Sequence, residues 1–265
     1  MHLTIKHTTT YTFEGPVTYA LQQLRKTPKS THQQTVLEWE TRIEGGEKQL
    51  SFEDHHNNTV ELIGADRDVE RLIVTSEGRV EINDGFGVVG PHLGPAPLWL
   101  YQRQTPLTRA GQGVRALART VEGDETLDRL HNLSNAVRER VEFVVGISHA
   151  DWTAEQVLAE GRGVCQDHTH VFIACARDLD IPARYVSGYL MLDDRIEQDA
   201  MHAWAEAYVE GLGWVAFDVA NGISPDTRYV RVATGLDYTE AAPVTGTRIG
   251  GAGESLSIDI EVAQQ

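Results

Sequence analysis

Gly161-Arg162-Gly163-Val164-Cys165-Gln166-Asp167-His168 opens a run that stays mostly apolar until Pro182. Val171, Phe172, Ile173, Ala174, Cys175 and Ala176 leave no polar face, the pattern of a central helix buried on every side. The spacing predicts that helix from near Gly163 to about Leu179, with Pro182 stopping it. Cys165 then stands in its first turn, where unpaired N–H groups and the positive end of the dipole favour negative charge.

Beyond Pro182 the period changes to that of strands: Arg184 to Leu190, His202 to Val209 and Trp214 to Val219. The glycines around Gly211 read as a hairpin turn between the last two. A turn centred there sets Trp204 opposite Asp218, with His202 its diagonal neighbour, roughly 7–8 Å away at Cα. A thiol, then an imidazole, then a carboxylate is what a cysteine nucleophile, its base and the group orienting that base require. Cys165, His202 and Asp218 are therefore the candidate catalytic residues.

Upstream of the nucleophile the reading is helical. Leu127, Leu130, Leu133, Val137 and Val141 recur at three- and four-residue spacing, with Asp124 as the expected N-cap. Thr153 and Gln156 form a capping box, and Gly161 ends the short helix that follows. Trp152, just before it, is a candidate to line an acyl pocket or assist an oxyanion.

From Met1 to about Asn83 the chain reads as strands and turns. Leu3-Thr4-Ile5 opens the first strand, Thr35 to Ile43 alternates before Gly45-Gly46, and Asp54 to Asn58 joins two strands as a hairpin. Ser76-Glu77-Gly78 reads as a second hairpin turn between Leu72-Ile73-Val74 and Arg79 to Ile82. Strands at this spacing suggest a β-sandwich. The Gly- and Pro-rich stretch from Asp84 to Pro97 marks a boundary, dividing the chain into an all-β domain over 1–97 and a core over 98–265. Gly85-Phe86-Gly87 is no nucleotide loop, because no helix follows it closely. The tail from Leu256 to Val262 alternates and is expected as a final strand of the core.

A formal net charge of −16 over 265 residues argues against nucleic acid or an anionic membrane as partner. The amino terminus lacks the apolar stretch of a secretory signal, so a cytoplasmic location is expected and the Asn57 and Asn132 sequons carry no meaning. Cys165 and Cys175 on one helix lie ten residues and ~15 Å apart, beyond disulfide reach. Cys165, His168, His170 and His202 could be imagined around zinc, but His168 and His170 point ~200° apart on a helix. No metal and no other cofactor is expected. The acidic run from Asp193 to Asp199 is read as a solvated loop that, if it overhangs the cleft, selects basic or amine groups.

Gly163-Val164-Cys165-Gln166-Asp167, Ile181-Pro182-Ala183-Arg184-Tyr185-Val186-Ser187-Gly188-Tyr189-Leu190, His202-Ala203-Trp204 and Gly213-Trp214-Val215-Ala216-Phe217-Asp218 resemble the core motifs of the bacterial transglutaminase-like cysteine protease family. The amino-terminal part resembles the all-β domain that precedes that core in many bacterial members. The resemblance implies an α+β fold, a papain-like core behind an all-β domain. It makes Cys165 the nucleophile, His202 the base and Asp218 the orienting acid. Where the family usually carries an aromatic after Cys-x-Asp and Asp-Pro after the Trp strand, this chain has His168 and Asp218-Val219.

The expected activity is that of a cysteine-dependent protease or amidase acting on a peptide or protein substrate through a thioester. Trp152, Gln166 and Tyr189 are candidate substrate-binding residues. The alternatives are acyl transfer to an amine and a non-catalytic peptide- or partner-binding module. No signature of coenzyme A accompanies the motifs.

Overall fold

The computed structural model describes residues 1–250 and 253–265. The chain opens with β1 (His2–Leu24), β2 (Gln34–Glu44), β3 (Gly46–Glu53), β4 (Thr59–Ala65), β5 (Val69–Ile82) and β6 (Val88–Gly90). Helices α1 (Gln112–Ala118) and α2 (Thr126–Arg140) follow, then β7 (Glu142–Phe143), α3 (Ala154–Glu160), β8 (Arg162–Gly163) and α4 (Cys165–Asp178). The rest is β9 (Ala183–Leu190), β10 (Glu197–Gln198), β11 (His202–Val209), β12 (Gly213–Phe217), β13 (Tyr229–Gly235), α5 (Tyr238–Ala241), β14 (Val244–Gly250) and β15 (Glu254–Gln264). Helices and antiparallel sheets thus make an α+β protein, as the sequence predicts.

β1 organises the first sheet. Its odd residues Leu3, Ile5, His7, Thr9, Tyr11 and Phe13 point inward, the period-two signature of a strand with one buried face. After Gly15 the pairing slips between Val17 and Tyr19, and the inward set becomes Ala20, Gln22 and Leu24. The bulge lets one 23-residue strand keep its apolar side inward through a bend. Its first half lies between β15 and β5, its second between β14 and β4.

Two expectations are corrected in this sheet. Ser76-Glu77-Gly78 is not a turn, because Val69–Ile82 is one continuous strand between β1 and β2. Gly78 instead permits close approach at a bulge in β2: a Cβ there would collide with the Glu38 carbonyl and the Trp39 ring. The carboxyl-terminal strand also belongs elsewhere. β15 pairs with β1 from Phe13↔Glu254 to Leu3↔Gln264, so the tail completes the first sheet and not the core sheet. Alternation announced a half-buried strand there but held no information about its partner.

The second sheet has the order β13-β9-β11-β12-β6, all antiparallel. α4 packs across one face, burying Val171, Phe172 and Ile173 against Ala183, Ala205, Ala207, Val215 and Phe217. Small residues on the strands let this helix lie close. The capping box of Thr153 and Gln156 forms as predicted, and Gly161 closes α3 in the left-handed region at φ 69°. α2 begins at Thr126 with Glu125 as its N-cap, so Asp124 does not cap it.

The two sheets share a core. Leu3, Ile5, Val80, Ile82, Ile260 and Val262 of the first meet Tyr189, Val230 and Val232 of the second. β6, drawn from the Gly/Pro-rich stretch, adds to the edge of the second sheet beside β12. A buried chain of polar groups crosses this contact: Lys26 Nζ donates to Thr9 Oγ1, which lies 3.3 Å from His7 Nε2, and His7 Nδ1 is 3.0 Å from the Tyr189 hydroxyl. Among the described residues no helix is long and apolar enough to cross a membrane.

Candidate active site

Cys165 is the first residue of α4, partly exposed, as the helix reading requires. Asp167, two residues on, turns back so that its Oδ2 accepts from the Val164 N–H at 2.7 Å. A Cβ at Gly163 would sit 2.6 Å from the Asp167 Cβ, so the glycine makes room for this bend. Thr169 Oγ1 donates to the Cys165 carbonyl at 2.8 Å. His168 locks the same turn, with Nδ1 2.8 Å from the Val164 carbonyl and Nε2 2.9 Å from that of Val141. The residue standing where the family usually has an aromatic thus fastens the nucleophile turn to the end of α2.

His202 opens β11 opposite Gly188 of β9. A Cβ at Gly188 would collide with the Trp204 indole and the Val230 carbonyl, so this glycine lets Trp204 lie flat beneath the histidine. β11 and β12 pair with Ala205 opposite Phe217, the register that a turn at Gly211 implies. Extended by one residue it places Asp218 beside Trp204, within reach of His202. His202 Nε2 and Asp218 Oδ2 are 2.6 Å apart.

Two further residues hold the carboxylate. The Tyr229 hydroxyl donates to Asp218 Oδ2 at 2.6 Å, and Asn221 donates its side-chain amide to Oδ2 at 2.7 Å and its backbone N–H to Oδ1 at 3.2 Å. Asp218 itself is fully buried. Burial opposes its charge, but the donors from His202, Tyr229 and Asn221 outweigh it and hold the carboxyl below its usual range. Sequence reasoning missed both donors. Asn221-Gly222 is a turn dipeptide three residues after Asp218, a legible signal; Tyr229 comes from another strand and had none.

The third member faces the ring. Burial opposes protonation of His202, but the adjacent Cys165 side chain and then Asp218 overcome it and raise the imidazole to about 10. A ring with the Asp218 carboxylate on Nε2 and the Cys165 sulfur beside it is held in its protonated form. Cys175 is buried deep in α4, and burial, then Asp178 and Glu155, pushes its thiol up. The two cysteines therefore lie in opposite environments.

The remaining candidates divide. Trp152 is half-buried, packs on the core and stacks edge-on with His149. Gln166 donates its side-chain amide to the Ala150 carbonyl at 3.3 Å, tying the nucleophile turn to the loop that carries Trp152. Tyr189 does not join them: it is buried at the contact between the sheets with its hydroxyl 3.0 Å from His7 Nδ1. His168 and His170 turn to different neighbours, Phe143 and Tyr185. The acidic run is only partly loop, since Glu197–Gln198 pairs with β15, while Asp193 stays exposed.

A partly exposed cysteine at a helix start, facing an imidazole–carboxylate pair on an antiparallel sheet, defines a papain-like arrangement on a β-rich scaffold. The chain belongs to the transglutaminase-like superfamily: residues 115–219 match its core, and residues 3–81 match the bacterial transglutaminase-like N-terminal region. An uncharacterized protein of Mycobacterium leprae is 25% identical over 278 residues, covering 98% of both chains. An uncharacterized protein of Mycobacterium bovis is 34% identical over 127 residues, 44% of this chain and 40% of that one. A crystal structure from Cytophaga hutchinsonii, provisionally described as a cysteine protease, has the same fold, with a TM-score of 0.79 at 20% identity over 99% of this chain and 90% of that one.

Proposed function

We propose that the protein is a cysteine-dependent amidase or protease with Cys165 as nucleophile, His202 as acid–base and Asp218 as orienting carboxylate. The observation that carries this reading is the 2.6 Å contact between His202 Nε2 and Asp218 Oδ2, with Cys165 beside the same imidazole. The Cys165 sulfur attacks the carbonyl carbon of an amide, and the negative oxygen is met by the Cys165 backbone N–H at the open end of α4. His202, as imidazolium, gives its proton to the leaving nitrogen. The C–N bond breaks, an amine departs and an acyl thioester remains on the enzyme. Water, deprotonated by the now neutral His202, attacks the thioester, releasing a carboxylic acid and returning the thiol.

Hydrolysis is favoured over transfer because water is always present, whereas an amine acceptor needs its own site and protection from water. The test is to incubate the protein with a peptide mixture rich in glutamine, with and without a primary amine, and to read products by mass. Hydrolysed peptide or carboxamide products, absent from Cys165→Ala, support the reading. Amine incorporation that suppresses hydrolysis would make the protein a transferase, and no Cys165-dependent product under either condition would favour a binding module.

A further inference from the structure

The turn between β3 and β4 carries two adjacent histidines, His55 and His56, and the fold presses them against α5 of the core. Asp54 shapes the turn: its Oδ1 accepts from the His56 and Asn58 N–H groups, each at 2.9 Å. Asn58 then pairs with the Thr234 backbone in both directions, at 2.7 and 2.8 Å. The turn is thus riveted to β13, and His56 has little freedom.

His56 is buried with its two ring nitrogens already committed to separate partners. Nδ1 lies 3.1 Å from the Tyr101 hydroxyl, and Nε2 lies 2.7 Å from Glu240 Oε2. Glu240 Oε2 also accepts from the Leu236 N–H at 2.8 Å. The exposed His55 ring lies beside that of His56, with centroids 4.0 Å apart. One ligand atom from each of His55, His56 and Glu240 falls within 4.8 Å of the others.

We propose that His55, His56 and Glu240 bind a zinc-class divalent ion that clamps the amino-terminal sheet to the core. Two imidazoles and one carboxylate suit zinc and its neighbours, whereas calcium and magnesium prefer oxygen alone. Tetrahedral zinc with bonds of about 2.0–2.1 Å holds its ligand atoms roughly 3.3 Å apart, so the His56–Glu240 contact opens only slightly to admit the ion. The outer partners are in place. Once the ion displaces the proton from Nε2, the Tyr101 hydroxyl accepts from His56 Nδ1–H, and the Leu236 N–H steadies Glu240. His55, on the solvent side, completes a three-ligand set, and water takes the fourth position. The ion enters past His55, where the ring is exposed.

This site is separate from Cys165 and departs from the expectation that the chain holds no metal. It also stands apart from the proposed hydrolase reading. The test titrates the metal-free full chain with zinc alone in a Cys165→Ala background, which keeps zinc off the Cys165–His202 pair. Isothermal calorimetry should show one equivalent bound, and the thermal midpoint should rise with zinc. Cobalt in its place should give the intense visible absorption of a four-coordinate site.

His56 and Glu240 also bond across the interface, so their variants can unfold for that reason alone. His55→Ala, altering an exposed ring, should keep the apo thermal midpoint while weakening zinc binding tenfold or more. Absence of stoichiometric binding, or equal affinity in His55→Ala, would overturn the proposal.

Discussion

Tyr229 donates its hydroxyl to the same Asp218 oxygen that faces His202, at 2.6 Å in each case. With the Asn221 amide also on that oxygen, the carboxylate cannot rotate away from the ring. Tyr229→Phe removes one donor of three and is expected to lower turnover about tenfold, the scale of one hydrogen bond to a charged group, with the fold intact. Asp218→Asn should cost far more, on the order of 10³–10⁴, as the loss of the orienting carboxylate does in serine proteases. Steady-state kinetics with circular dichroism on both variants checks this. Turnover in Asp218→Asn close to that of the wild type would mean another group orients His202.

The charge on His202 depends on Cys165. Its imidazole is raised to about 10, with Cys165 the leading cause that acts against burial. Cys165→Ser should therefore lower the ring's titration toward its ordinary value, while leaving the 2.6 Å contact with Asp218 in place. Because the folded value lies above the unfolded one, protonation of His202 contributes stability in full below about pH 6.5. That contribution is lost as pH rises toward 10. Ring proton shifts followed by NMR across this range measure both effects, and an unchanged midpoint in Cys165→Ser would separate the two side chains.

Lys26 is buried with Thr9 and, among the described residues, pairs with no carboxylate, and burial lowers it to about 7. The unfolded chain holds this proton up to about pH 10.5, so between pH 7 and 10 the unfolded state binds more protons and wild-type stability rises with pH. Below pH 7 both states are protonated and the full cost of burying the charge remains, at most about 4–5 kcal/mol. Lys26→Met should thus be more stable than wild type near pH 6, with the advantage shrinking as pH rises to 10. Denaturant melts of both proteins at these two values make the comparison. A difference independent of pH would mean that Lys26 keeps its proton in the folded protein as it does in the unfolded chain.

The Gly/Pro-rich stretch looks in sequence like a place to cut, but the structure argues against it. Starting the chain at Leu98 removes β1, strips the partners of β14 and β15 and bares Tyr189, Val230 and Val232. Such a chain is expected to aggregate or to remain only partly folded. Ending the chain at Gly250 should also lose stability, because β1 loses β15 along eleven residues and Ile260 and Val262 leave a shared core. Solubility and amide dispersion by NMR report on both. A well-dispersed spectrum from the Leu98 start would show the core to be self-sufficient.

The local half of this fold was legible. α4, the β11–β12 hairpin and its register, the Thr153 box and the Gly161 cap all rest on spacing within a few residues, and all are found. The His202–Asp218 contact followed from the Gly211 turn alone, because strand parity fixes which side chains share a face. What was not legible was long-range. Gly78 reads as a turn until β1 and β2 flank it, and the tail's alternation says nothing of β1. Tyr189 and Tyr229 both lie on strands of the second sheet, yet pairing across the fold sends one to the amino-terminal sheet and the other to Asp218.

The most direct measurement is the alkylation rate of Cys165 by limiting iodoacetamide at neutral pH, read peptide by peptide in wild type and His202→Ala. Cys175, buried in α4, serves as the internal marker of an intact fold. Paired with His202, Cys165 should alkylate much faster than a free cysteine, and His202→Ala should slow it at least tenfold while Cys175 stays unmodified. If Cys165 reacts no faster than free cysteine, and equally in both proteins, the pair is not a nucleophile and its base.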